Sequence, residues 1–190
     1  MRCLILNGNP HPSGFDDYLA RFALALHEQG HSAERIDLRD LDLHYCVGCW
    51  TCWWKTPGLC ALKDDMAPLL AEVFAAEAVV LGSPVYIGQM TGQLKIFVDR
   101  LLPVLGPNFV TRLKKHPGLL WVFTQGHSDP AAFRTYMEDT SRFLGFLGFT
   151  PKGILSAVGT REKTDVEQQA DVLAKARAAG AELAAVARTA

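Results

Sequence analysis

The densest chemistry of this chain lies between positions 46 and 60. Cys46, Cys49, Cys52 and Cys60 follow one another at the spacing C-x2-C-x2-C-x7-C, four of the five cysteines in 190 residues. Four thiolates so closely spaced can ligate a [4Fe-4S] cluster. Other readings of the same residues stand beside it. Tetrahedral zinc also takes four ligands, usually as two separated pairs. A C-x-x-C unit can act as a redox dithiol. Four thiols can also be plain structural residues. Trp50, Trp53 and Trp54 crowd the segment with apolar rings that suit shielding a cluster, lining an acceptor pocket or burying a subunit contact. Cys3 sits inside an apolar run and reads as a core residue.

Three further loops carry residues of use to a bound ligand. The first runs Asn9-Pro10-His11-Pro12-Ser13-Gly14-Phe15, between an apolar strand and an amphipathic helix. That junction aims backbone N–H groups and the positive helix end at one point, which suits a phosphate. Ser13 adds a hydroxyl donor, and His11 a donor or a cation. No Gly-Lys-Ser/Thr closes the loop, and it lacks the Gly-x-Gly-x-x-Gly pattern, so it is neither a Walker A loop nor a dinucleotide fingerprint. As a plain structural turn it would also be rich in Pro, Ser and Gly. Asp16 and Asp17 stabilise the helix start but would repel a phosphate, so their side chains are expected to face away.

The second loop is Gly82-Ser83-Pro84-Val85-Tyr86-Ile87-Gly88. Pro84 and the glycines favour an extended backbone that a ligand can approach. Val85 and Ile87 offer apolar surface and Tyr86 a ring with a polar tip, a set suited to one face of a flat heterocycle. The third is Thr124-Gln125-Gly126-His127, where Gly126 allows close approach and N–H donors can meet an anionic ring. Tyr86 and His127 are the candidates for contact with an electron acceptor. No side chain is assigned as a catalytic acid or base.

Elements of alternating period must position these loops. Apolar runs at Arg2–Asn7, 78–81, 119–123 and 153–158 read as strands, the first of them as a buried parallel one, and 32–38 as a weaker second strand. Between them, apolar residues recur at spacings of three and four. Phe15, Leu19, Phe22 and Leu26 make one helix face, closed by Gly30. Met66, Leu69, Leu70 and Val73 make another, with Asp64 and Asp65 at the N-cap. Leu94, Phe97, Val98 and Leu101 make a third. Asp129-Pro130 predicts a fourth helix start, and residues 164–187 a last helix. Five strands alternating with five helices predict an α/β domain, a parallel sheet covered on both faces. Ligands in such sheets bind beyond the carboxyl ends of the strands, where the order reverses.

Composition agrees with one domain over residues 1–190. Apolar residues make up 49%, charged residues 21%, and the formal net charge is −1. That profile excludes disorder and shows no basic stripe for nucleic acid. No apolar stretch has secretory or membrane-spanning length, so the expected location is the cytoplasm.

The order of these segments resembles the flavodoxin-like NAD(P)H-dependent FMN reductase and quinone reductase superfamily. Residues 9–15, 82–88 and 124–126 carry the resemblance, together with Gly92-Gln93-Leu94-Lys95 and Asp99-Arg100. It implies a flavodoxin-like sheet of order 2-1-3-4-5. It also implies FMN as cofactor, with NAD(P)H as co-substrate and a quinone, flavin or other small molecule as acceptor. Asn9, His11, Ser13, Gly14, Phe15 and Asp16 would hold the FMN phosphate. Pro84, Val85, Tyr86, Ile87 and Gly88 would flank the ring system. Thr124, Gln125, Gly126 and His127 would contact its pyrimidine end. Family members often carry Asn, Ser or Thr where this chain has Asp16. The resemblance further implies a homodimer or homotetramer. Residues 46–66, ending Lys63-Asp64-Asp65-Met66, look like the iron–sulfur flavoprotein branch, an electron-carrier alternative in which Cys46, Cys49, Cys52 and Cys60 hold a [4Fe-4S] cluster.

Overall fold

A computed structural model describes residues 1–161, 165–166 and 168–186. Five strands form one sheet: β1 (Arg2–Asn7), β2 (Ser32–Asp37), β3 (Ala78–Pro84), β4 (Gly118–Gln125) and β5 (Thr150–Val158). Their order is β2-β1-β3-β4-β5, and every neighbouring pair is parallel. The register brings the carboxyl ends to one edge. Asn7 stands opposite Asp37 and Gly82, Pro84 opposite Thr124, and Gln125 opposite Val158. The order reverses between β1 and β3, where a crevice for a ligand opens.

The α-helices are α1 (Gly14–His27), α2 (Thr51–Trp54), α3 (Met66–Ala75), α4 (Gly92–Asp99), α5 (Arg134–Phe146) and α6 (Ala170–Val186). Alternation along the strands sends side chains to two cores. Leu4, Leu6, Trp121 and Phe123 face α3, α4 and α5. Cys3, Ile5, Leu120 and Val122 face α1 and α6. A sheet apolar on both faces needs a layer on each, because either face left open would return its apolar area to water. Burial pushes the Cys3 thiol up to about 12, so Cys3 stays a neutral core residue.

Several boundaries differ from the sequence reading. β3 extends through Gly82, Ser83 and Pro84, and β4 through Thr124 and Gln125, residues expected in loops. Each strand's end pairs with the other's, so the ladder outlasts the apolar run. β5 begins at Thr150 rather than Gly153. As an edge strand it tolerates Pro151, and a register shift opposite Leu119 and Leu120 absorbs the irregularity. Asp129-Pro130 opens a turn rather than a helix. The Asp129 carboxylate accepts the Ala131 N–H at 2.9 Å, but α5 starts only at Arg134. The last helix begins at Ala170, and the ends of the expected span, Thr164 and Ala187, lie outside the described residues. Leu101 falls beyond α4 yet is fully buried. The short α2 had no counterpart in the periodic pattern, because four residues are too few to show a period.

Candidate functional site

The first loop leaves β1 at Asn7, a fully buried side chain. Its Oδ1 accepts the Asn9 N–H at 3.0 Å, and its Nδ2 donates to Asp37 at 2.9 Å and to Asp16. Gly8 then passes between β3 and α4. Its N–H donates to the Gly82 carbonyl at 2.8 Å, and its carbonyl accepts the Thr91 hydroxyl at 2.6 Å. A Cβ on Gly8 would lie 2.7 Å from Leu94 Cβ and 3.0 Å from Gly82 O. Only glycine fits.

Ser13 caps α1. Its Oγ accepts the Phe15 N–H at 3.3 Å and the Asn9 Nδ2–H at 2.8 Å. Asp16 completes a capping box by accepting the Ser13 N–H at 3.0 Å. The Asp16 carboxylate therefore points back toward β1 and β2, where Arg39 meets it at 3.1 Å. Arg39 also holds Asp37 at 2.6 Å. Burial opposes the Asp16 charge, but hydrogen bonds from Arg39, Asn7 and the Ser13 amide, with the charge of Arg39, outweigh it. They hold the carboxyl below its usual range. Asp17 is exposed.

The second loop is stitched to the first through Thr91. Its N–H donates to Ser83 Oγ at 3.0 Å, and its Oγ accepts the Leu94 N–H at the start of α4. Val85 donates to the Thr124 carbonyl at 2.8 Å. Tyr86 and Gln89 then pair as the base of a two-residue turn, with N–H to carbonyl distances of 2.8 and 3.1 Å. Both central residues are left-handed, Ile87 at φ 47° and Gly88 at φ 76°. Glycine adopts that backbone freely; a β-branched Ile87 does so under strain. Ile87 is fully exposed and Tyr86 half-exposed.

In the third segment Thr124 and Gln125 are buried. Gln125 Nε2 donates to the carbonyls of Asp129 at 2.7 Å and His127 at 3.3 Å. Its buried Oε1 has no partner among the described residues. His127 is exposed, and its Nδ1 accepts the Asp129 N–H at 3.0 Å. Phe133 joins the second and third segments. It stands edge-on to His127 at 6.2 Å, and a Cβ on Gly88 would be 3.7 Å from its ring.

A cavity of about 360 Å³ opens between these segments. Asn9, His11, Ser13, Gly14 and Phe15 form one wall, and Pro84, Tyr86 and Thr124 another. Asp16, Val85, Ile87 and Gly88 stand outside that wall, as do Gln125, Gly126 and His127. The sequence reading missed the third wall, Thr160, Arg161 and Val166, which follows β5. Thr160 is tied to β4 through its N–H and hydroxyl, both donating to the Gln125 carbonyl at 3.0 and 3.1 Å. No local motif marks these residues; the rule that ligands meet strand ends covers β5 as well. Thr91 was missed too, although a Thr just before a helix is a readable N-cap signal.

The cysteine segment is built differently. Trp50 and Gly48 both have left-handed backbone, at φ 56° and 64°. Cys46 and Cys49 are exposed, Cys52 is buried and Cys60 half-buried. The Thr51 hydroxyl and amide draw the Cys49 thiol below its usual range. Burial, followed by the neighbouring cysteines, raises that of Cys52. Among the described residues no three His, Cys, Asp or Glu side chains are grouped to hold a metal ion. Behind the segment lies a fully buried ion pair. Asp64 accepts two N–H bonds from Arg100, one at 2.8 Å, and the His44 N–H at 3.0 Å. Burial works against the Asp64 charge, but these donors hold its carboxyl far below the usual range. Asp64 thus clamps the loop rather than simply capping α3. Asp65 does likewise, accepting the Asp42 N–H at 2.8 Å. Trp53 packs against Phe109 at 5.2 Å, and Phe109 against Phe146 at 6.1 Å.

A doubly wound sheet with its crevice between β1 and β3, entered by a capped phosphate-type loop, defines a flavodoxin-like protein. Residues 1–147 match the model of the NADPH-dependent FMN reductase family, and the chain belongs to that family. An iron-sulfur flavoprotein of Archaeoglobus fulgidus is 32% identical over 84% of this chain and 69% of its own length. Another, from Methanocaldococcus jannaschii, is 39% identical over 55% of this chain and 53% of its own. The chain spans about half the length of most of the curated relatives it matches. Among solved structures, an FMN-dependent NADH-azoreductase of Bacillus anthracis, in complex with FMN, superposes with a TM-score of 0.74. Its identity is 19%, over 97% of this chain and all of the other. An NAD(P)H:quinone oxidoreductase of Methanothermobacter marburgensis gives 0.75 at 20% identity, over 96% of each chain. These two likenesses concern the fold. No helix among the described residues is long and apolar enough to cross a membrane.

Proposed function

We propose that this chain binds FMN in the crevice at the ends of β1, β3 and β4 and passes electrons from NAD(P)H to a quinone, a flavin or another small acceptor. The supporting observation is the cavity of about 360 Å³ that joins the capped first loop to Pro84, Tyr86 and Thr124. Its size falls within the range of pockets for small ligands. The residues present fit the cofactor. The α1 end and the free hydrogen of the Ser13 hydroxyl, whose oxygen accepts two bonds, suit a phosphate. The Pro84–Tyr86 side supplies apolar and aromatic surface for a ring.

FMN, when bound, would supply the hydride-accepting centre and return the electrons to the acceptor. The protein's own contribution is orientation. Thr91 and Gly8 hold the first and second loops at one spacing, while Phe133 holds the second to the third. The exposed tip at Tyr86 and Ile87 leaves one side open to a nicotinamide and then to the acceptor, in alternation. His127, solvent-facing, is placed to meet either. The test is direct. Purified protein mixed with FMN should acquire bound flavin, and the loaded protein should oxidise NAD(P)H when a quinone is added. Protein that stays colourless after incubation with FMN sinks the proposal.

A second reading is favoured by the four cysteines and by the iron-sulfur flavoprotein relatives: an electron carrier with a cluster on Cys46, Cys49, Cys52 and Cys60. A net charge of −1 argues against it, since carriers that dock by electrostatic steering are strongly charged. Rapid reduction by a ferredoxin-like donor without NAD(P)H turnover would favour the carrier. For assembly we propose a homodimer or homotetramer. Trp50, Trp54, Phe109, Phe143 and Phe146 are all more than half exposed on one run of ring contacts, and apolar patches of this kind mark interfaces. Sedimentation as a monomer would overturn it.

A further inference from the structure

The first loop is short of positive charge for the ligand assigned to it. Residues 9–17 hold no Lys or Arg and two acids, Asp16 and Asp17. One amide at the mouth of the helix, the Ser13 N–H, is already given to the Asp16 carboxylate. Arg39, whose Nη1–H reaches the Asn9 carbonyl at 3.3 Å, is taken by Asp16 and Asp37 and is not in the cavity wall. A phosphate ester carries between one and two negative charges near neutral pH. Against that charge the loop sets its amides, the end of α1 and the His11 ring, with no Lys or Arg of its own.

The missing charge stands across the cavity. Among the described residues Arg161 is the one Lys or Arg in its wall, brought there by the turn after β5. Two bonds fix its position without using the ends of its side chain. Its backbone N–H donates to Asp165 at 2.7 Å, and its Nε–H to the Gly126 carbonyl at 3.3 Å. Gly126 supplies the room. A Cβ there would lie 3.5 Å from Arg161 Cγ, so the side chain lies across the glycine. Both Nη atoms are left without a partner among the described residues. A guanidinium held at Nε, with its Nη pair free, presents the planar fork that binds phosphate oxygens.

We infer that Arg161 is the phosphate-binding cation of this site, closing over the 5′-phosphate of FMN from the side opposite Ser13 and Gly14. The inference rests on the FMN reading and adds a residue to it from a segment that no loop motif marks. It follows that the chain discriminates FMN from riboflavin through Arg161. Riboflavin has the same ring and ribityl chain but no phosphate to meet the guanidinium.

The test is titration of the full-length apoprotein with FMN and, separately, with riboflavin, followed by quenching of flavin fluorescence. Arg161→Gln should weaken FMN about ten- to hundredfold, the loss expected of one charge-assisted contact, and leave riboflavin within about twofold. Arg161→Lys should recover part of the FMN affinity, because charge returns without the fork. Raising salt should weaken FMN binding to wild type more than to R161Q. Arg161 is exposed, so the variant should fold, and an unchanged melting temperature checks this. Equal losses for both flavins, or no loss for FMN, overturn the inference while leaving the flavin reading in place. Wild-type protein that binds neither flavin overturns both.

Discussion

The crevice and the cysteine segment lie in one chain and are held in opposite ways. The loops after β1, β3 and β4 spring from strand ends whose residues are still in the ladder: Asn7, Ser83 and Pro84, Thr124 and Gln125. Cross-links at 2.6 to 3.0 Å through Gly8, Ser83 and Thr91 then join one loop to the next. The segment from Asp42 to Cys49 has no regular structure. It hangs on Asp64 and Asp65, which accept its amides, and on Arg100, which donates to the His44 carbonyl at 3.0 Å. The first region is preorganised by the sheet; the second is suspended from the buried Asp64–Arg100 pair and from Asp65.

Removing that pair should therefore give the largest effect. Asp64→Asn leaves Arg100 buried without its counter-charge, at a cost of about 3–5 kcal/mol. Urea unfolding measures the loss, and limited proteolysis should show cleavage moving to the cysteine segment while the crevice loops stay protected. A cost near zero would mean that something else holds the segment. The same contrast appears in pH. The Asp64 and Asp16 carboxyls are depressed in the folded state, so their stabilisation is present above the unfolded carboxyl value of about 3.9 and is lost as pH falls through the folded values. Wild type should lose stability progressively below about pH 4, and D64N should lose less over that interval. An equal slope in both proteins would remove Asp64 from the explanation.

On the crevice side, Gly8→Ala should cost about 1–3 kcal/mol by overpacking, because backbone and Leu94 Cβ, not flexible side-chain ends, block the new methyl. It should also weaken FMN binding while leaving the reactivity of Cys49 toward iodoacetamide unchanged. A change at Cys49 would show the regions to be coupled. The smallest effect is a gain. Ile87→Gly loses no burial, since Ile87 is fully exposed. It relieves left-handed strain but loosens the unfolded chain, for a net stabilisation of about 0.5–1 kcal/mol in thermal unfolding. If turnover with a quinone falls at the same time, the strained tip serves the acceptor.

Much of the crevice was legible because its signals are local. Continuous apolar runs announced the strands, and apolar spacings of three and four announced α1. Their boundaries were less legible. Apolar runs stop at Leu81 and Phe123, but pairing continues to Pro84 and Gln125, since hydrogen bonds to a neighbouring strand do not depend on side-chain type. Asp129-Pro130 misled for a related reason: the side chain satisfies one amide locally, and the chain spends four more residues in a turn before α5. The spacing of the four cysteines was plain, yet spacing along a chain does not say how each is exposed, and here Cys52 is buried beside the exposed Cys46 and Cys49 and the half-buried Cys60.

By itself the sequence determined the alternation of elements and the chemical character of each loop, because burial period, capping and turn preference act within a few residues. The tertiary structure alone decided that Asp16 turns toward Arg39, that Asp64 pairs with Arg100, and that Arg161 lines the same cavity as Ser13. Those meetings join residues tens to more than a hundred positions apart. They are set by strand order and register, which bring distant chain ends to one edge of the sheet.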